Sequence, residues 1–390
     1  MPEGELWVED EEGVFPELEA ARELAPRVRD AAALIDQTAE LPCELVHELT
    51  SAGMFRLILP RRFGGSELPL PCFLRCVEVI ARADGSTGWC VGQGGVFPNL
   101  ADRMLPETAA AIWVADPAAV VATGTPFGCR AVDLGDRYRL TGHWRFASGC
   151  LHASWLAAMA DIVSESGDTK GFGMFLVPRA EITLGEGWNV RGMRGTGSRE
   201  YTLDELTVPA ERALLGRILS DHGGAATRLP AQLLFASVFG AVGLGIARGA
   251  LDTLMALIQG KTPAFSNRRL LDDDLVHAGL GAAEAAWGEA RAFLYEVARR
   301  CERARAGGGA PGRLTRARLR LAATNAMRKS GEIVDQAYRL AGTDAIFTDH
   351  PLHRCFQDIH ALTQQIQARP AHFRTVGRVL LGLEPDAPVL

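Results

Sequence analysis

A serine and a glycine, Ser148 and Gly149, lie between the aromatic residues Phe146 and Trp155 near the middle of the chain. A serine hydroxyl both donates and accepts hydrogen bonds, and a glycine lets a flat ring approach the backbone closely. Aromatic side chains stack well on such a ring, but they also fill ordinary protein cores. The segment therefore indicates either a simple turn between core aromatics or one wall of a site for a planar ligand. The same two interpretations apply to Trp89.

Two histidines are further candidates for a pocket. His152 follows Gly149 by three residues, and His360 follows Asp358 by two. The first is either a pocket residue or a histidine satisfied in the core, and the second is either a pocket residue or a surface one. The eight cysteines are scattered without a CxxC pair, and the histidines are not at zinc spacing, which predicts reduced thiols and no metal site. No GxGxxG segment joins a strand to a helix, so no nicotinamide site is expected.

Composition excludes several classes of function. The 390 residues are 47% hydrophobic and 23% charged, which is typical of a globular protein with a large core. The net charge of −6 argues against binding to nucleic acid or to an anionic membrane. The most apolar stretch, residues 229–258, contains Gln232, Arg248 and Asp252, so it predicts a buried helix and not a membrane span. The acidic N-terminus is unlike a signal peptide, which indicates a cytoplasmic protein.

Hydrophobic periodicity divides the chain into three parts. Residues 1–115 have helical spacing, residues 116–223 alternate with a period near two, and residues 224–390 are helical again. The middle part predicts a compact antiparallel, barrel-like β domain, with a hairpin over residues 131–142 that turns at Gly135. The last part predicts an antiparallel bundle of four helices, at Leu229–Gly260, Asp272–Ala306, Leu314–Gly342 and Pro351 to about Leu381. The expected fold class is α+β.

Five segments in this order resemble those of one superfamily. They are Ala83–Trp89 (ADGSTGW), Gly142–Trp155 (GHWRFASGCLHASW), Arg191–Ser198 (RGMRGTGS) with Val208–Pro209 after it, Gly243–Leu251 (GLGIARGAL) and Lys261–Pro263 (KTP). The chain resembles the acyl-CoA dehydrogenase superfamily, and specifically its oxygenating branch, the two-component flavin-dependent monooxygenases. The superfamily's fold has an N-terminal helical domain, a central β domain and a C-terminal four-helix bundle.

The resemblance assigns roles to several residues. It implies that a flavin lies against Trp89, Phe146, Ser148, Gly149 and Trp155, with a hydrogen bond from Ser148 near the flavin N5 and with His152 close by. It also implies that the loop after the first bundle helix holds the flavin phosphates, often those of a neighbouring subunit. That loop contains Phe265, Arg268 and Arg269, and the two arginines are otherwise ordinary surface residues.

Dehydrogenation of an acyl-CoA needs a carboxylate base beside the flavin. In the commonest dehydrogenases the glutamate lies on the last helix, at a position that falls near Ile366 here. The other known placement is the first bundle helix, and residues 223–251 contain no Asp or Glu. Dehydrogenation of a CoA thioester is therefore not expected.

Oxygenation needs reduced FMN or FAD, which a separate reductase supplies in this branch, together with O2 and a pocket that keeps water out. The phenol-hydroxylating members add two histidines, which correspond to Phe97 and Gln365 here. Gln365 exchanges hydrogen bonds but cannot shuttle a proton, which favours a substrate that needs no base, such as an amine or an activated carbon. The expected pocket is hydrophobic and lies between the β domain and the bundle. Its expected residues are Phe97, Phe235, Phe239, Trp287, Phe293 and His360.

Two other functions remain open from the sequence. One is a flavin dehydrogenase or oxidase of an acyl or carrier-tethered substrate, and the other is a flavin-free binding protein. The continuous apolar face of residues 229–260 also predicts a homodimer or a homotetramer assembled through the bundle.

Overall fold

Helices, a curled sheet and more helices follow one another along the chain. The computed structural model describes residues 13–216 and 229–387. The expected first domain boundary, after residue 115, falls between the last N-terminal helix and the first strand and stays a prediction. The second, after residue 223, lies outside the described residues.

Five α-helices precede the sheet. Asp84 separates the third from the fourth, because its carboxylate accepts a hydrogen bond from the backbone N–H of Thr87 at 2.8 Å and so caps the new helix. The helices are α1 (Pro16–Thr38), α2 (Cys43–Ser51), α3 (Leu70–Ala83), α4 (Gly85–Val96) and α5 (Pro106–Trp113).

The strands form one sheet in the order β6-β3-β2-β4-β5-β7, with β1 paired to β4. They are β1 (Val121–Thr123), β2 (Thr125–Asp133), β3 (Arg137–Ala147), β4 (Trp155–Val163), β5 (Thr169–Pro178), β6 (Arg199–Pro209) and β7 (Ala213–Leu215). The predicted hairpin is confirmed as β2–β3, with Gly135 at a φ of 92°.

The sheet is mixed, which corrects the expectation of purely antiparallel pairing. After β3 the chain turns through residues 148–154 and enters beside β2, so that β4 runs parallel to both β1 and β2. Residues 182–184 have the alternating apolar pattern of a short strand but form none. Ile182 instead follows a 3-10 turn, and Leu184 makes an isolated bridge to Tyr201.

The C-terminal bundle has a broken last helix. Its helices are α6 (Ala231–Gly260), α7 (Asp274–Ala306), α8 (Arg313–Ala341), α9 (Pro351–Gln364) and α10 (Ala371–Leu380). The single helix expected over 351–381 is wrong, because Pro370 disfavours helical geometry at Arg369, whose φ of −60° and ψ of 131° are extended. Gln365 also has extended backbone, with a φ of −74° and a ψ of 163°, so it lies at the end of α9 and not inside a helix.

Helix α6 is the centre of the helical core. It is long and apolar enough to cross a membrane, but 83% of its most apolar window is buried inside the protein. It packs on α3 so closely that a Cβ at Gly245 would lie 2.5 Å from the backbone oxygen of Glu78. One apolar cluster joins α6 to both the N-terminal helices and the bundle. The apolar face that motivated an oligomer is thus covered within the chain, and that reason for assembly is wrong.

Candidate active site

A cavity of about 900 Å³ lies between the sheet, the loop before β6 and the helices α4, α6 and α9. This is a normal volume for a small-molecule or cofactor site. Its lining includes, of the residues proposed from the sequence, Trp89, Phe97, Phe146, Ser148, Phe235, Phe239, His360 and Gln365.

The sheet wall of the cavity is built at the end of β3. Phe146 has a φ of 59°, in the left-handed region that non-glycine residues rarely adopt. Its side chain is 49% exposed and meets Trp188 edge-on, with ring centroids 6.2 Å apart. Strained backbone that persists at a pocket is a common feature of ligand sites. Here it places an aromatic ring and Ser148 on the same wall.

Three hydroxyl groups form a chain at this wall. Ser148 Oγ lies 2.7 Å from Ser198 Oγ, which lies 2.6 Å from Thr196 Oγ1. Thr196 Oγ1 donates to the backbone oxygen of Met193 at 2.8 Å. All three hydroxyl residues are buried and line the cavity.

Helix α4 holds a second polar group beside Ser148. Gln93 Oε1 accepts a hydrogen bond from Trp89 Nε1 at 3.0 Å, and Gln93 Nε2 donates to the backbone oxygens of Ser148 and Thr123 at 3.3 and 3.4 Å. An indole N–H only donates and a carbonyl only accepts, so this amide has one orientation. Gln93 therefore locks α4 to the sheet wall.

The helical wall is aromatic. Trp89 stacks on Phe239 with centroids 3.9 Å apart, and Phe235 contacts Phe97 edge-on at 5.7 Å. Phe97 is almost fully buried. These rings make a dry, apolar face opposite the hydroxyl groups, which suits an apolar ring and excludes water.

The end of α9 closes the cavity with polar side chains. Gln365 Oε1 accepts from the backbone N–H of Gln367 at 2.7 Å, and its Nε2 lies 3.0 Å from Met327 Sδ. Gln367 in turn bonds Gln232 at 2.7 Å and the buried guanidinium of Arg320, whose pKa burial lowers to about 10. The row of glutamines is thus fixed by hydrogen bonds.

Two family models match most of the helical sequence. The acyl-CoA dehydrogenase N-terminal domain matches residues 18–102, and the acyl-CoA dehydrogenase C-terminal domain matches residues 237–370. Indole-3-acetate monooxygenase from Pseudomonas putida is 31% identical over 364 residues, which cover 92% of each chain. This chain belongs to the flavin-dependent monooxygenases of the acyl-CoA dehydrogenase superfamily.

Two further proteins support the branch and the fold. The oxygenase subunit HsaA from Mycobacterium tuberculosis is 30% identical to this chain over 362 residues. These residues cover 88% of this chain and 89% of HsaA. Its crystal structure superimposes with a TM-score of 0.89 over 96% of this chain and 99% of that one, at 26% identity. XiaF from Streptomyces sp., solved in complex with FADH2 and glycerol, shares the fold with a TM-score of 0.90 at 23% identity, over 96% and 97% of the two chains.

Eight of the proposed site residues do not line the cavity of the monooxygenase, and five of these pack within the fold. Trp287 Nε1 donates to the backbone oxygen of Leu244 at 3.0 Å, and Phe293 packs on the helical core. Trp155 packs beside α5, where Arg212 lies 5.3 Å from its ring. The contacts of these three side chains therefore lie outside the cavity. Gly149 and His152 form the turn behind Ser148.

His152 is not placed to act as an acid in the monooxygenase. Burial lowers its pKa to about 4, so its imidazole is neutral at pH 7. Its Nε2 has no hydrogen-bond partner, and its ring lies 5.7 Å from that of Phe55. A Cβ at Gly149 would lie 3.1 Å from this Nε2, so the imidazole packs directly under the turn.

The residues proposed for the flavin phosphates lie on an exposed loop after α6. Phe265 is fully exposed, Arg268 pairs with Asp274 at 3.4 Å, and Arg269 pairs with Asp272 at 3.0 Å. The cavity wall of the same chain contains two other arginines, Arg191 and Arg369, both exposed. Either of these can meet a phosphate or a carboxylate.

Sequence reasoning missed several polar residues of the wall, among them Gln93, Thr196 and Ser198. Gln93 lies one helical turn after Trp89, a spacing that places both side chains on one face of α4. Thr196 and Ser198 belong to the segment Arg191–Ser198, which carries part of the resemblance, but no sequence pattern indicates a role for their hydroxyls. The neighbouring Met193 and Gly197 have positive φ values of 54° and 51°, which tighten the loop enough to bring the hydroxyls together.

A buried pair of carboxyl groups supports the same loop. Asp358 on α9 accepts a hydrogen bond from the backbone N–H of Met193 at 2.6 Å. Burial, and then the neighbouring Asp84, raise the pKa of Asp358 to about 8, and burial also raises the pKa of Asp84. The pair therefore keeps a proton at neutral pH, since two buried carboxylates do not ionise together.

The residues present fit a flavin. The cavity has room for a ring system and a substrate, the sheet wall offers aromatic rings, and the hydroxyls of Ser148, Ser198 and Thr196 offer hydrogen bonds to a polar ring edge. Ser148 would bond that edge, Phe146 and Trp188 would contact the ring, and arginines at the wall would meet a phosphate.

Proposed function

We propose that this monooxygenase takes reduced FMN or FAD from a separate flavin reductase and hydroxylates a small aromatic substrate with O2. The observation that carries the proposal is the two-sided cavity, with a hydroxyl-bearing sheet wall facing an aromatic helical wall. The flavin would lie on the first wall and the substrate on the second. When bound, reduced flavin supplies the chemistry that activates O2.

The chain's own residues have defined tasks in this proposal. Ser148 and the residues behind it fix the flavin edge, and Phe97, Phe235 and Phe239 exclude water and hold the substrate ring. Gln365 and Gln364 orient a polar group of the substrate by hydrogen bonds. A dry site limits the release of hydrogen peroxide in place of product.

A substrate that needs no deprotonation fits this site best. No Asp or Glu lines the cavity among the residues that the structure describes, and His360 lies on the wall with its Nε2 2.9 Å from Asp335. The positions of the phenol-activating histidines hold Phe97 and Gln365. An electron-rich ring such as an indole reacts without losing a proton first, and the relative from Pseudomonas putida carries the name indole-3-acetate monooxygenase. This supports an indole-like or similarly activated aromatic substrate.

The same lack of a carboxylate at the described wall argues against acyl-CoA dehydrogenation, which needs a base at the α-carbon. The residue at the expected place, Ile366, is apolar. The alternative of a flavin dehydrogenase or oxidase is therefore the weaker one.

We also propose a cytoplasmic homodimer or homotetramer assembled through the C-terminal bundle. Exposed apolar residues at one end of the bundle support assembly, and they are Phe265, Leu275, Ile346 and Phe347. Lys261 ties the loop that bears Phe265 to this end, with its Nζ 2.6 Å from the backbone oxygen of Ala341 and 2.9 Å from Asp344. In such an assembly Arg268 and Arg269 would reach the flavin of a neighbouring subunit.

The test is an oxygen-uptake assay with supplied reduced FMN or FAD, in which product is quantified from indole-3-acetate, indole and simple phenols. We expect product from an indole and little from phenols. The absorbance spectrum of the purified protein provides a second readout. Tightly bound oxidised FAD that is bleached by an acyl-CoA would overturn the proposal in favour of a dehydrogenase.

A further inference from the structure

The contact between Thr196 and the backbone oxygen of Met193 determines which group donates at each hydrogen bond among the three hydroxyls. The backbone oxygen of Met193 has no hydrogen of its own, so the short contact of 2.8 Å to Thr196 Oγ1 requires the threonine hydrogen. The contact of 2.6 Å between Thr196 Oγ1 and Ser198 Oγ then requires the hydrogen of Ser198. The contact of 2.7 Å between Ser198 and Ser148 likewise requires the hydrogen of Ser148.

Ser148 therefore presents lone pairs, and no hydrogen, to the cavity. Its hydroxyl is an acceptor there, in contrast to the donor that the resemblance implied. Gln93 cannot supply the missing donor, because its amide N–H groups are directed to the backbone oxygens of Ser148 and Thr123.

We propose that this chain of hydroxyls makes the site selective for reduced over oxidised flavin. The inference rests on the proposed function, which places the flavin ring against Ser148. The N5 atom of a reduced flavin carries a hydrogen and donates, whereas the N5 of an oxidised flavin only accepts. An acceptor at Ser148 can bond the N5–H of reduced flavin, whereas it repels the lone pair on the N5 of oxidised flavin.

Binding of oxidised flavin at the same place would require every hydrogen bond in the chain of hydroxyls to reverse its direction. Ser148 then donates to N5, Ser198 donates to Ser148 and Thr196 donates to Ser198. The reversal leaves Thr196 Oγ1 and the oxygen of Met193 at close range with no hydrogen between them, which is unfavourable in a buried site. Oxidised flavin is thereby released after turnover, and the next reduced flavin enters.

The test replaces Thr196 with valine, which has nearly the same shape but no hydroxyl. In Thr196→Val the hydrogen of Ser198 is free to point to Ser148, so Ser148 can donate to the cavity. We expect the ratio of dissociation constants, oxidised over reduced flavin, to fall by about fivefold or more, the size of one hydrogen bond. Both constants are measured with FMN and FAD by anaerobic titration of flavin fluorescence and absorbance.

Thr123→Val is the matched control. Thr123 also lines the cavity, but its hydroxyl donates to the backbone oxygen of Ala157 at 2.7 Å and is not part of the chain. The ratio should stay at the wild-type value in this variant. Circular dichroism and thermal unfolding of both variants check the fold, and Ser198→Ala, which also frees Ser148, should lower the ratio if Thr196→Val does not fold.

The outcomes separate this inference from the proposed function. If neither redox form of the flavin binds to the wild-type protein, the proposed function fails. If the reduced form binds but the ratio is the same in wild type, Thr196→Val and Ser198→Ala, the function stands and the inference is overturned. A shift of the ¹⁵N signal of labelled N5 in bound reduced flavin between wild type and Thr196→Val would support the inference independently of turnover.

Discussion

In the proposed function, Ser148 and Gln365 act through hydrogen bonds and not through proton transfer. The described residues around the cavity include two arginines and a histidine but no carboxylate. Both residues lie where a regular element has just ended, since Ser148 follows β3 and Gln365 follows α9.

Ser148→Ala should raise the fraction of reduced flavin that ends as hydrogen peroxide and lower the fraction that ends as product. The variant loses one hydrogen bond to the flavin, worth about 0.5–1.5 kcal/mol. Peroxide and product are quantified per flavin oxidised. Ser154→Ala is the control, because the Ser154 hydroxyl lies outside the cavity and has no hydrogen-bond partner. Equal coupling in both variants would contradict the role of Ser148.

Gln365→His should lower coupling to product without creating phenol hydroxylation. The glutamine accepts from the N–H of Gln367 and bonds Met327, and an imidazole at this place leaves one of those groups unpaired at a cost of about 1–3 kcal/mol. Product from the native substrate and from phenols is measured in parallel. Phenol turnover by the wild type, or a gain in native activity with histidine, would restore a phenol hydroxylase.

The sequence predicted part of each wall, namely Phe146 and Ser148 on the sheet side and Trp89, Phe97, Phe235 and Phe239 on the helical side. Phe146 and Ser148 lie in one short segment, where backbone geometry alone places them together. Trp287 and Trp155 were candidates only as aromatic residues, and the neighbour that each one contacts depends on long-range packing. The hydrogen-bonded group of Thr196 and Ser198 was equally invisible, because it needs a loop and a strand end to meet.

Close contact between helix backbones determines the shape of the core. Gly245 on α6 lies against the backbone of α3, whereas Gly281 on α7 has open space where a Cβ would be. The order and type of most helices were predictable from periodicity. The break at Arg369 was missed although Pro370 indicates it. Neither the extended backbone at Gln365 nor the parallel pairing of β4 was encoded in any local pattern.

Gly245→Ala should destabilise the protein by about 1–3 kcal/mol, because the new methyl group overpacks the contact between α6 and α3. Gly281→Ala should instead stabilise it by about 0.5–1 kcal/mol through helix propensity. Urea unfolding of both variants measures the difference. Equal effects of the two substitutions would show that α3 and α6 are not in close contact.

Asp358→Asn should remove a pH dependence of stability. The pKa of Asp358 is raised in the folded state, so the folded protein holds a proton that the unfolded chain has lost above about pH 4. Stability from this group is therefore greatest at acidic pH and falls as the pH rises toward 8, by up to about 1.4 kcal/mol per pH unit. Asparagine keeps the acceptor for the N–H of Met193 but does not titrate.

The free energy of unfolding, measured in urea from pH 5.5 to 8.5, should fall less steeply in Asp358→Asn than in wild type. Asp204→Asn, an exposed position on β6, should keep the wild-type slope. Parallel profiles for wild type and Asp358→Asn would show that the carboxyl is ionised throughout.

At the scale of the whole molecule, the proposed assembly depends on the exposed apolar groups. Helix α6 was expected to form an interface, but it is buried within its own chain because the N-terminal helices cover it. Sequence periodicity shows that a helix is apolar but not which part of the chain covers it. The apolar residues left at the surface of the bundle end lie on a loop and at the ends of helices, where no periodic pattern reveals them.

Phe347→Asp should dissociate the assembly while leaving the fold intact. The side chain is 60% exposed and lies just after the 3-10 turn that follows α8, so a charge there is tolerated in a free chain but not in an apolar interface. Multi-angle light scattering at micromolar concentration should give a dimer or tetramer for the wild type and a smaller species for the variant, with unchanged circular dichroism. Val114→Asp, at an exposed valine after α5, should keep the wild-type mass. A monodisperse wild-type monomer would rule out assembly, and it would leave Arg268 and Arg269 without a neighbouring flavin to hold.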